Sequence, residues 1–134
     1  MAALSGRKVR VQVGSGVSAA DVAGARTDEL TINREHIDIT DKDDDGVRKL
    51  LGEIGVISMS MTCSGIVKDD TLAVWSADAT EVLKDMSFVI TGVGTYTGSF
   101  GISAFTPGGN DGAEAATFSA TFESAGAITF TAAV

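Results

Sequence analysis

Val56-Ile57-Ser58-Met59-Ser60-Met61-Thr62-Cys63-Ser64 is the stretch whose pattern decides the fold of this chain. Ile57, Met59, Met61 and Cys63 alternate with Ser58, Ser60, Thr62 and Ser64, so an extended backbone presents one apolar face and one face of small hydroxyls. A helix would scatter the same residues around its circumference. The spacing predicts a strand over residues 56–64, with Cys63 a small buried hydrophobe rather than a reactive thiolate. A single cysteine cannot close an internal disulfide, and nothing else in the sequence points to an oxidising compartment.

The segments on either side repeat the theme. Val9, Val11 and Val13 alternate over residues 8–13, ending at Gly14-Ser15-Gly16, while residues 18–25 are small and ambiguous. Leu30, Ile32, Ile37 and Ile39 predict a strand over residues 28–40, bulged near Glu35 where the phase breaks. Residues 41–46 read as an acidic turn and residues 47–55 as an apolar and basic segment, together one long loop. Asp69 or Asp70 is placed to cap a helix in which Leu72, Trp75 and Ala79 share a face. Strands are expected again at 86–91, 96–105, 115–123 and, after Gly126, at 127–131. The turn formers of residues 107–112 make a hairpin tip.

The 134 residues suit one domain spanning 1–134, and 13 Val with 9 Ile against 6 Leu favour pleated surfaces over helical bundles. The fold expected is mainly β: a small antiparallel β-sandwich or barrel of seven or so short strands with one flanking α-helix. At this mass a compact chain exposes about 6,600 Å² against roughly 20,000 Å² extended, so no disulfide or metal staple is needed.

Ten basic and 18 acidic residues leave a net charge of −8, which repels nucleic-acid phosphates and anionic lipid heads. No apolar run approaches the roughly 18 residues of a membrane span. The first ten residues lack the apolar core of about 7 to 15 residues that marks a secretory signal, so the cytoplasm is the expected place of synthesis and no membrane anchor is expected.

Chemical motifs are weak. Asp41-Lys42-Asp43-Asp44-Asp45-Gly46 matches the opening of a calcium loop, but Gly52 stands where its bidentate Glu belongs, so a solvated acidic turn is expected. Gly92-Val93-Gly94 lacks the third glycine of a dinucleotide loop, and no helix pattern follows it. His36 is the only histidine, which excludes multi-histidine metal sites. No enzyme signature, cofactor site or metal site is expected. With only 21% charged residues and several hydroxyl-faced strands, the charges that normally guard sheet edges are sparse, which favours a subunit covered by copies of itself in head-to-tail rings.

The sequence resembles the major tail tube proteins of long-tailed, siphovirus-type bacteriophages and the related gene transfer agents. The resemblance covers nearly the whole chain. It is carried by Ile37-Asp38-Ile39-Thr40, by Gly46-Val47-Arg48-Lys49-Leu50-Leu51-Gly52, by the serine-rich strand ending Cys63-Ser64-Gly65, by Gly98-Ser99-Phe100 with Ile102-Ser103, and by residues 118–126. It implies a β-sandwich or barrel flanked by one helix, assembled as stacked hexameric rings around a channel that conducts DNA. It implies as partners other copies of the chain, a tape-measure protein, a tail terminator and baseplate or distal tail proteins, in a virion tail assembled in the bacterial cytoplasm. By the same resemblance, residues 41–52 form the loop that reaches a neighbouring subunit or ring. Leu50 and Leu51 would then make apolar contacts, with Arg48 or Lys49 pairing with carboxylates across the joint. Asp43, Asp44 and Asp45 depart from the mixed polar residues usual there, and Asp41 begins the loop. The alternatives are a calcium- or carbohydrate-binding β-sandwich, or another tail ring protein such as a terminator or distal tail subunit. A single tyrosine and a single tryptophan argue against a sugar platform.

Overall fold

A computed structural model describes residues 3–133 apart from positions 15, 17, 18, 110 and 113. Among these residues it holds seven strands and one α-helix. In chain order these are β1 (Val9–Val13), β2 (Ala20–Asp21), β3 (Ala25–Asp38), β4 (Leu50–Ile66), α1 (Thr71–Ala77), β5 (Leu83–Ile90), β6 (Gly94–Gly108) and β7 (Thr117–Ala132). They form one antiparallel sheet in the order β2-β1-β5-β6-β7-β4-β3. Parts of the expected turns around Ser15, Ser18 and Asn110 lie outside the described residues.

The mainly β fold with a single helix is as expected, but the strands are not uniformly short. β3, β4, β6 and β7 run to 14, 17, 15 and 16 residues. The break expected at Gly126 is a bulge inside one strand: Gly98 pairs with Ile128 and Phe100 with Ser124, leaving extra residues on β7. Gly126 sits in that bulge at φ 144°, a conformation open to glycine. The bulge near Glu35 is present as register shifts on both sides of His36. Residues 50–55, expected in the loop, instead open β4, because β3 keeps pairing beyond its bulge, His36 with Ile54 and Asp38 with Leu50. The expected hairpin tip also gives up its first two residues, Pro107 and Gly108, to β6.

The sheet curls on itself around one core. Val11 from β1, Met86 from β5, Phe100 from β6, Phe122 from β7 and Met61 from β4 are all buried together, so strands far apart in sheet order face each other. Burying side chains of this size stabilises by about 1.5–3 kcal/mol each. At the seam β1 and β3 come close without pairing among the described residues. Arg10 bridges the gap: its Nη1 lies 3.3 Å from Asp21 Oδ2, its Nη2 donates to Val22 O, and its Nε lies 3.8 Å from Asp28 Oδ2. The result is a barrel left incompletely closed.

A helix of seven residues is too short to persist alone. α1 is held by Leu72 and Trp75, which face inward at i and i+3, with the Trp75 ring stacked on Phe122 at 5.6 Å and Lys84 Nζ 5.5 Å from the ring centre. Ala79, expected on the same face, lies past the end of the helix. Of the two capping candidates, Asp69 accepts the Thr71 amide, whereas Asp70 makes no side-chain cap. Phe122 therefore supports both sheet and helix. Phe122→Ala is expected to lower unfolding free energy by about 3–5 kcal/mol in a denaturant titration, with exposed Ser119→Ala within about 0.5 kcal/mol of the parent.

Candidate assembly surface

β4 is paired on both edges over only part of its length. β3 accompanies it from Leu50 to Gly65, but β7 pairs with it only over residues 60–66. At the point of divergence the Met59 amide donates to Ser124 Oγ at 2.9 Å, so a hydroxyl ends the ladder. Beyond that point β3 and β4 continue as a two-stranded arm. The apolar row of β4 shows the change: Cys63, Met61 and Met59 are 1%, 0% and 7% exposed, and Ile57, next in the same phase, is 55% exposed. The alternation read from the sequence is correct, and its outer end faces solvent because no second layer lies over it.

The arm carries further exposed apolar side chains: Ile32, Ile37, Ile39, Val47, Leu51 and Val56. An isolated two-stranded ribbon is marginal in water, and an apolar one invites a partner. The whole chain exposes 8718 Å², about a third more than the roughly 6,600 Å² expected of a compact chain of its mass. The charged edge was not foreseen. β3, the free edge, carries Arg26, Asp28, Glu29, Arg34, Glu35 and Asp38, while the hydroxyl-faced β4 is an interior strand that needs no such guards.

All eight residues singled out from the sequence lie together at the far end of this arm. Asp41 and Asp44 form a capping box around a 3-10 turn, Lys42–Asp44: Asp41 Oδ1 accepts the Asp43 amide at 2.9 Å, and the Asp41 amide donates to Asp44 Oδ2 at 2.9 Å. Asp45 follows in the left-handed region at φ 51°. Arg48 and Lys49 lead back toward β4, where Thr40 Oγ1 accepts the Lys49 amide at 2.7 Å and the Ile39 amide donates to Lys49 O. Leu50 is half-buried and Leu51 exposed, both in β4 rather than in the loop. The Thr40 amide and hydroxyl, helped by the Arg48 charge, hold the Asp38 carboxyl below its ordinary value. Among the described residues no three His, Cys, Asp or Glu side chains converge as a metal-ligand set, and no helix is long and apolar enough to cross a membrane. Sequence reasoning missed the exposure of Ile32 and Ile57 on one face of the arm and of Val56 on the other, since apolar strand residues read as core. It also missed the grouping of Arg7, Arg10 and Arg26 beside the seam, which was visible only as a basic bias in the first 26 residues.

A barrel with a seam, a projecting apolar arm and surplus surface defines a class: a structural subunit shaped to assemble with others. The chain belongs to the phage tail tube protein family, whose sequence model matches residues 7–130, and it is a component of a virion tail. It superposes with a TM-score of 0.85 and 30% identity on a chain from the tail of an empty gene transfer agent particle refined with helical C6 symmetry, covering 96% of this chain and 99% of that one. A chain from the virion of a native gene transfer agent particle gives 0.83 at 28% identity, over 96% of this chain and 99% of the other. The SPP1 tail tube shares the fold, at 0.71 and 18% identity, over 98% and 81%. No curated protein sequence matches the chain.

Cys63 is buried across the ladder from Asp28. Burial first, then the Asp28 carboxylate, push its thiol far above the ordinary value. The folded chain therefore holds this proton to higher pH than the unfolded chain. The contribution to stability is fully present below the free-thiol value of about 8.5 and is lost as pH rises above it. At pH 8 the native chain is expected to resist an aromatic disulfide reagent and to react fully in denaturant; stoichiometric release of thiolate from native protein would contradict this placement.

Proposed function

We propose that copies of this chain, each a single tail-tube domain over residues 1–134, stack as hexameric rings into a tube that conducts DNA. The observation that carries this reading is the arm, with exposed apolar side chains on a ribbon that none of the described residues covers. Surface in excess of a compact fold by about 2,000 Å² is on the scale of an obligate interface. The C6 symmetry of the gene transfer agent tail supports six copies per ring.

In this reading Asp41, Asp43, Asp44, Asp45, Arg48, Lys49, Leu50 and Leu51 lie against a neighbouring subunit or ring, Leu51 giving apolar area and the charges setting register. Each copy brings a net charge of −8, so a ring carries six times that. Part of it facing the bore would repel the duplex at close range, within a screening length of about 8 Å at physiological salt. Repulsion without specific contacts lets the polyanion slide. The role is mechanical, with no reaction catalysed and no cofactor held. The tail partners are a tape-measure protein within the bore, a terminator, and baseplate or distal tail proteins at the ends, joined in the host cytoplasm.

Negative-stain micrographs of the concentrated chain are expected to show hollow tubes or sixfold rings. Leu51→Asp is expected to leave monomer unfolding unchanged within about 0.5 kcal/mol and to abolish the tubes. Tubes that persist in this variant would remove the arm from the interface.

A further inference from the structure

The incompletely closed seam carries groups that the described residues leave unmatched. β2 pairs with β1 only at Gln12 and Val13, and the outer edge of β3 has no partner among the described residues. Between them lies a cleft of about 400 Å³ whose walls include Arg7, Arg10, Arg26 and Asp28. Two buried polar atoms of these walls have no hydrogen-bond partner among the described residues: Arg10 Nε, which lies 3.8 Å from Asp28 Oδ2, and Asp28 Oδ1.

The rim states the charge of the occupant. Arg7 and Arg26 are exposed and have no ion pair among the described residues. The complementary surface lies at the other end of β3. Asp41 and Asp44 are held in their capping box, whereas Asp43 and Asp45 are exposed and accept no hydrogen bond among the described residues. At about 3.3 Å per residue the tip stands roughly 40 Å along the arm from Asp28, so a chain cannot seat its own tip in its own seam.

We propose that the acidic tip of one copy docks in the basic seam of the next copy, Asp43 and Asp45 meeting Arg7 and Arg26. One plug and one socket per chain make a head-to-tail contact, which repeats without limit or closes on itself. The inference rests on the reading of the chain as a self-assembling subunit and names the receptor for its arm.

Charge reversal in the full chain tests it. Asp43→Lys with Asp45→Lys reverses the tip; Arg7→Glu with Arg26→Glu reverses the seam; the third protein carries all four changes. Sedimentation velocity gives the concentration at which each assembles, and thermal unfolding of the monomer confirms the fold. Either reversal alone is expected to raise the assembly concentration by about tenfold or more, and the combined protein to recover most of the loss. Single reversals without effect, or a combined protein no better than either, overturn the seam as receptor while the tube reading stands. A parent chain that stays monomeric at every concentration overturns both. Should a reversal unfold the monomer, Asp45→Cys with Arg26→Cys in one chain gives a second readout: disulfide-linked ladders under oxidation support the contact, and monomer alone overturns it.

Discussion

Strand β4 is hydrogen-bonded on two edges through its second half and on one edge through its first, and the rest of the molecule follows from that change. Where β7 accompanies it, its apolar face closes over Phe122 and Trp75 and the hydroxyl face needs no guarding. Where β7 departs, the same alternation runs on into water. Side chains chosen for a core cannot be satisfied by solvent, and a two-stranded ribbon does not fold for its own sake. The arm is ordered by pairing inherited from the barrel, and its apolar cover has to come from outside the chain.

Electrostatics divide the molecule in the same direction. Seven of the 18 acidic residues lie on the arm, from Glu35 to Glu53, against four basic residues of the arm, Arg34, Lys42, Arg48 and Lys49, while Arg7, Arg10 and Arg26 line the seam. Charges of opposite sign at opposite ends of one strand cannot neutralise each other inside a single copy. They give the subunit a polarity suited to repeated addition in one direction. The excess of acid remaining after such pairing is what a conduit for a polyanion requires of its wall.

Much of this was legible in the sequence, where a local rule and the global fold agreed. The serine and methionine alternation of β4, the valines of β1, the phenylalanines of β7 and the Leu72 and Trp75 pair each carry a period that only one kind of element satisfies. The far end of the arm was legible as an acidic turn, and its eight residues do come together. What stayed hidden depended on partners. Ile57 differs from Met59 in nothing a sequence shows, since burial is decided by whether β7 lies alongside. Leu50 and Leu51 looked like loop because Gly52 and Gly55 punctuate them, although pairing with β3 carries the strand through both. The basic seam was invisible because Arg7 and Arg26 are brought together only by the curl of the sheet.

Hydrogen exchange along the arm, compared between dissociated chain and assembled tube, probes the claim that neighbours complete this sheet. The account predicts that amides of residues 32–38 and 50–57 exchange much faster than those of residues 60–65 in the monomer and become protected on assembly, while those of residues 60–65 are slow in both states. Full protection of the arm in a chain that remains a single copy, or unchanged exchange within tubes, would contradict it.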